Sequence, residues 1–213
     1  MCRGNIKILI FDMDGVVLDS EPLHENARKM MIQELGLDES REFPEAVGKS
    51  SSGFWRQVIE KFHLDGDPND FEKRQYQYVA MQIKEKKMKP SEGFEKLVLD
   101  GKAQGLKIAL ASSSTRVLVD ETLQLLGIRE CFDITVAGNE IPKKKPEPDV
   151  YLKVLELSGI EASCALAIED SKAGVEAAQR AGICCYGYRN PTSGNQDISK
   201  ADKIVNSLNE IVI

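Results

Sequence analysis

Residues 165–182 read ALAIEDSKAGVEAAQRAG, and this stretch decides the fold. Four apolar residues, 165–168, stop at the acidic pair Glu169-Asp170, and Ser171 then opens a helical pattern that runs to Ala181 and halts at Gly182. A short, continuous apolar run suits a strand buried on both faces of a parallel sheet. Serine ahead of a helix and glycine behind it satisfy the unpaired groups at the two helix ends.

Outward from this unit the same pattern recurs. Apolar runs stand at 6–11, 107–111, 134–137 and 184–187, and helical stretches at 115–126 and 148–158 end at Gly127 and Gly159. Strands alternating with helices of this length require right-handed crossovers, so the expected fold is α/β with an open, doubly wound parallel sheet. Between the first run and the second lies a gap of about ninety residues, too long for a loop. It carries helical spacing, with Leu23, Ala27, Met30, Met31 and Leu35 on one face, and Trp55 fits a core position among such helices. The expected division is therefore a core of 1–16 and 89–213 with a helical insertion at 17–88, the return marked by Pro90 and Gly93.

Composition narrows the partners. The chain has 213 residues, 42% hydrophobic and 29% charged, the mixture of an ordinary globular protein. Its 28 basic against 34 acidic residues give a net charge of -6, which speaks against nucleic acid and anionic membranes and for a small-molecule partner. No apolar run approaches the roughly 20 residues that span a bilayer, so a cytoplasmic location is expected. The five cysteines, odd in number and without C-x-x-C spacing, read as reduced and structural. The oligomeric state is open, a monomer being compatible with everything above.

In an open parallel sheet, ligands bind beyond the carboxyl ends of the strands. There the sequence places Asp12-Met13-Asp14-Gly15, Ser112-Ser113-Ser114, Glu169-Asp170-Ser171 and, before a helix start, Lys143, Lys144, Lys145 and Pro146. An aspartate accepts a phosphoryl group covalently, and a second one nearby shuttles a proton between leaving oxygen and water. Clustered hard oxygens call for a counter-cation such as magnesium, so Asp12, Asp14, Glu169 and Asp170 form a candidate metal set. Ser112 and Ser113 suit the phosphate oxygens, and Lys145 suits the charge that develops during transfer. An Asp-x-Asp-Gly after a strand is by itself often only a polar turn, and a serine run only a loop. The functional reading draws its weight from the joint pattern at successive strand ends. His24, close to Asp14 in the sequence, is kept as a substrate-binding candidate.

FDMDGVVLDSE, ASSS, KKKPEPDVY and IEDSKAGVEAAQRAGI resemble, in order, the four motifs of the haloacid dehalogenase superfamily. The inserted helices resemble its small cap, and DSEPLH with KPSEGF points to the β-phosphoglucomutase-like branch. The resemblance implies a Rossmann-like catalytic core, with Asp12 as nucleophile, Asp14 as general acid/base, Ser112 as phosphate donor and Lys145 as charge clamp. It further implies that Asp170 and Glu169 hold Mg2+ beside the Asp12 carboxylate and the Asp14 backbone carbonyl. An acid at position 14 disfavours dehalogenation. Mutases of this branch carry an arginine just after the glycine that Gly48 resembles, and an asparagine where this chain has Arg116. Here the first stretch is Gly48-Lys49-Ser50-Ser51-Ser52, although Lys49 or Arg74 could replace that arginine from elsewhere in the cap. The expectation is a magnesium-dependent phosphatase acting on a small phosphorylated metabolite, a sugar or polyol phosphate, through a phospho-aspartate. The alternative is a β-phosphoglucomutase-type phosphosugar mutase.

Overall fold

The computed structural model describes residues 5–38, 40–46 and 50–213. They fall into two compact units, one made of Met1–Asp19 and Lys89–Ile213, the other of Ser20–Met88. The chain runs β1 (Ile8–Phe11), α1 (Glu21–Glu34), α2 (Ser51–Phe62), α3 (Pro68–Glu85), α4 (Phe94–Ala103), β2 (Lys107–Ala111) and α5 (Arg116–Leu125). It continues through β3 (Ile134–Val136), α6 (Asp149–Ser158), β4 (Ala165–Glu169), α7 (Lys172–Arg180), β5 (Cys184–Tyr188) and β6 (Lys203–Val205).

The six strands form one parallel sheet in the order β3-β2-β1-β4-β5-β6. Every residue of β1 and β4 is buried, as the apolar runs 8–11 and 165–168 require, and the burial extends to Glu169 at the end of β4. Ile8, Ile10, Ala109, Ala165 and Ala167 pack with Val150 and Val154 of α6 and with Val175 and Ala178 of α7. Phe11 meets the rings of Phe94 and Phe132 edge-on, with centroids 5.1 and 6.4 Å away.

Register then sets up the chemistry. Phe11 pairs with Leu110 on one side and Ile168 on the other, so the next residue of each strand, Asp12, Ala111 and Glu169, reaches the same level at the sheet's carboxyl edge. Strand order reverses between β1 and β4, where a crevice opens in doubly wound sheets.

Two details depart from the sequence reading. The insertion was expected from residue 17, yet Val17 and Leu18 are fully buried in the first unit: both of their N–H groups donate to Met13 O, and Val17 O accepts from Ser91 N–H. The turn after β1 thus keeps these residues, and the helical unit begins at Ser20. Cys131, Cys164 and Cys185 are free thiols, but Cys184 is disulfide-bonded, which corrects the reading of all five as reduced. An odd count without close spacing says nothing of a pairing that the fold creates.

In the helical unit, Met31, Phe54, Trp55, Val58 and Phe71 form the centre of the core. Ser50 caps α2 by accepting from Gly53 N–H, and Asp67 caps α3 by accepting from Asn69 N–H. Trp55, fully buried, donates its indole N–H to Gln75 Oε1 at 2.7 Å. Among the described residues no helix is long and apolar enough to cross a membrane.

Candidate active site

Asp12 emerges from β1, its N–H still donating to Ile168 O, and the chain then turns sharply through Gly15. Gly15 has φ +81, and a Cβ there would stand 1.9 Å from Asp170 Oδ2, so both backbone geometry and space demand glycine. Asn190 fixes the turn from outside by donating to Gly15 O at 3.0 Å.

Lys145 arrives from the segment before α6. Its Nζ lies 2.7 Å from Asp12 Oδ1, 2.6 Å from Glu169 Oε1 and 2.9 Å from Ala111 O. Tyr151 Oη also donates to Glu169 Oε1. Glu169 is fully buried, and its second oxygen, Oε2, has no hydrogen-bond partner among the described residues. The first turn of α7 passes so close that a Cβ on Gly174 would lie 1.9 Å from that oxygen. Asp170 Oδ2 accepts from Ser193 Oγ at 2.5 Å.

On the β2 side, Ser112 is fully buried and its Oγ accepts the Ser114 N–H at 3.0 Å. Ser114 Oγ donates to Asp14 Oδ2 at 2.8 Å. Ser113, between them, is half-buried.

Burial and the neighbouring Glu169 carboxylate push the Asp12 carboxyl well above its ordinary range, with Lys145 opposing them. Asp170 is pushed up to about 7, chiefly by burial, against the stabilising hydrogen bond from Ser193. Burial alone would depress Lys145, but Asp12 and Glu169 outweigh it and raise the ammonium above the usual lysine value. Asp12, Glu169 and Asp170 each bring a carboxylate oxygen within 4.8 Å of the others. Among the described residues, three buried carboxylates against one ammonium leave a deficit of positive charge, and Glu169 Oε2, without a partner there, leaves a deficit of donors. A hard divalent cation answers both, so the residues fit magnesium.

The fold thus brings Asp12, Asp14, Ser112, Lys145, Glu169 and Asp170 to one edge of the sheet. Lys143 is exposed and Lys144 half-buried, while the Lys145 side chain is only 6% exposed. His24 belongs to the helical unit, where it is buried with Nδ1 2.9 Å from Gln75 Nε2. Arg74 pairs with Glu34 at 2.5 Å. Gly48 and Lys49 lie outside the described residues. Arg116 spends its guanidinium on Glu140, Asp120 and Thr135. Ser114, Tyr151, Asn190 and Ser193 escaped the sequence reading as site residues. Asn190 and Ser193 follow β5, a strand end to which the carboxyl-edge rule applies equally, whereas the Tyr151 contact has no local signal.

Residues 9–187 match the family model described as haloacid dehalogenase-like hydrolase. The chain belongs to this family. This haloacid dehalogenase-like hydrolase is 30% identical to protein CbbY of Rhodobacter capsulatus, over 92% of its own length and 91% of the relative's. It is 29% identical to a phosphorylated carbohydrates phosphatase of Thermotoga maritima, over 97% of its own chain and all of the other. Among solved structures, the β-phosphoglucomutase of Clostridium difficile matches with a TM-score of 0.79 and 25% identity, covering 98% of this chain and 94% of that one. The protein is accordingly an enzyme, a hydrolase with phosphatases among its relatives, on the Rossmann-like core of that family.

Proposed function

We propose that this hydrolase is a magnesium-dependent phosphatase of a small phosphorylated metabolite, a sugar or polyol phosphate, working through a phospho-Asp12 intermediate. The observation that carries the reading is the bridge of Lys145 between Asp12 and Glu169 inside a buried acid cluster. A carboxylate held this way is desolvated, Lys145 opposes its protonation, and the cation that the cluster calls for would complete its ionisation and leave it reactive toward phosphorus. Asp12, Glu169 and Asp170, with Asp14 through its backbone carbonyl, would hold the magnesium. The ion supplies charge neutralisation to nucleophile and phosphate when bound.

In the first half-reaction Asp12 attacks phosphorus, Asp14 gives a proton to the departing ester oxygen, and the Ser112 hydroxyl donates to a phosphate oxygen. Lys145 stays paired with the charge as it moves from Asp12 to the phosphoryl oxygens. In the second half-reaction Asp14 takes a proton from water, which attacks phosphorus and releases Asp12. The Thermotoga relative, named for phosphorylated carbohydrates, supports the substrate class.

A second reading, phosphosugar mutase, has its support in the β-phosphoglucomutase likeness. Against it stand the ion pair that occupies Arg74 and the contacts that occupy Arg116, side chains that a mutase would need for a distal phosphate or would replace by asparagine. The experiment that decides incubates the protein with β-glucose 1-phosphate, magnesium and a trace of the 1,6-bisphosphate. Free phosphate as the main product is expected, here and across a panel of sugar and polyol phosphates; stoichiometric glucose 6-phosphate with little phosphate would install the mutase instead.

A further inference from the structure

Ser114 closes the serine run whose first two members suit the phosphate, but its own hydroxyl is engaged with Asp14, at 2.8 Å from Oδ2. Its backbone is held at both ends: the N–H donates to Ser112 Oγ at 3.0 Å, and the carbonyl accepts from Gly138 N–H at 2.7 Å. Gly138 approaches so closely that a Cβ on it would stand 2.2 Å from Ser113 O. Ser114 is itself 6% exposed. Its Oγ is therefore a fixed point just beyond the end of β2.

We propose that Ser114 is a positioning residue of the proton-transfer steps: by donating to Asp14 Oδ2 it fixes the plane of the carboxyl group and leaves Oδ1 as the oxygen that carries the mobile proton. The proposal rests on Asp14 acting as the general acid/base. A hydroxyl that donates to Oδ2 stabilises negative charge on that oxygen and so leaves Oδ1 the more basic of the two. In the first half-reaction the Oδ1–H bond breaks as the new O–H bond forms on the departing alcohol. The P–O ester bond breaks with its electron pair passing to that oxygen, and Asp14 is left as carboxylate. In the second, a water O–H bond breaks to restore Oδ1–H, the water oxygen bonds to phosphorus, and the P–O bond to Asp12 breaks. Neither step changes the Ser114 hydrogen bond, so the acid is reused without reorienting. Alignment of this kind is what separates an effective intramolecular proton donor from a merely adjacent one.

Leaving-group dependence provides the test. The parameter kcat/KM covers the steps through transfer to Asp12, in which a poor leaving group needs a proton and a good one does not. It is measured with magnesium for an alkyl phosphate and for 4-nitrophenyl phosphate on wild type, Ser114→Ala, Ser114→Thr and Asp14→Asn. For Ser114→Ala we expect a loss of about tenfold on the alkyl ester and less than about threefold on the aryl ester. Ser114→Thr, which keeps the hydroxyl, returns the ratio toward wild type, and Asp14→Asn shows the same selectivity with a larger loss. If Ser114→Ala lowers both esters alike, or neither, while Asp14→Asn is selective, the positioning role is wrong and the acid assignment stands. If Asp14→Asn shows no selectivity, the acid assignment itself fails and takes this proposal with it.

Discussion

Lys145 Nζ lies 2.7 Å from Asp12 Oδ1, although 133 residues of chain separate them. Both side chains are buried, at 6% and 11% exposure, and the same ammonium reaches Glu169. A nucleophilic carboxylate works only when ionised, yet burial beside two other acids favours its protonated form. Lys145 opposes that tendency from within the protein. It also links the strand ends of β1 and β4 with the start of α6, and so couples charge balance to the geometry of attack.

Lys145→Ala is therefore expected to lower kcat/KM by about 10²- to 10³-fold, the usual cost of removing one preorganised electrostatic partner. Steady-state assays at saturating magnesium read the effect. An unchanged kcat/KM would reduce the lysine to a structural role.

Asp12→Asn should abolish turnover while the protein still folds, because the amide keeps the shape of the side chain and loses its nucleophilicity. Acid-quenched protein incubated with substrate should carry no phosphoryl group at this position. Asp14→Asn should turn over about 10²- to 10⁴-fold more slowly on alkyl phosphates. Residual activity of Asp12→Asn near wild type would end the covalent mechanism.

The acid cluster gives the metal-free protein a distinctive pH dependence. Asp170 has a folded pKa of about 7 against an ordinary 3.8, and Asp12 is shifted in the same direction. Between those values the folded state holds a proton that the unfolded state has lost. Their contribution to stability is therefore greatest below about pH 4 and is lost as pH rises toward 7. Magnesium requires the ionised acids, so its affinity should weaken by up to about tenfold per pH unit below 7 for each proton displaced. Melting curves at pH 5 and pH 8 should show a larger gain in Tm from magnesium at pH 8. A larger gain at pH 5 would contradict the account, and full activity in excess chelator would contradict the metal altogether.

Gly174→Ala should displace the Glu169 carboxylate, because the added Cβ falls 2.0 Å from Glu169 Cδ. The expected cost is about 1–3 kcal/mol of stability, as for other overpacked sites, together with weaker magnesium binding. Calorimetric titration and chemical denaturation measure the two separately. Wild-type values in both would mean that the helix start yields and the carboxylate need not hold its place.

Much of the fold was legible because it is written locally. The apolar runs at 6–11, 107–111 and 165–168 contain β1, β2 and most of β4, and the helices before Gly127, Gly159 and Gly182 end within two residues of those glycines. Hydrophobic period and glycine stops act within a few residues, where sequence order and spatial order agree. β6 was missed because it holds only two apolar residues, Ile204 and Val205, set between Lys203 and Asn206, too short a run to stand out. The start of the helical unit was misjudged by three residues because the burial of Val17 and Leu18 depends on how the turn folds back on Met13.

The sequence by itself also determined which residue types crowd the strand ends: the acids at 12, 14, 169 and 170, the serines at 112–114 and the lysine before Pro146. Strand-end chemistry follows from chain order once the sheet is parallel. Only the tertiary structure decided how those groups divide their partners. Glu169 turns one oxygen to Lys145 and Tyr151 while the other meets no donor among the described residues, Ser114 turns to Asp14, and Ser193 closes on Asp170. Each of these contacts joins residues at least 18 positions apart in the chain. Their existence depends on strand register, loop path and rotamer, quantities that no local spacing contains and that packing fixes all at once.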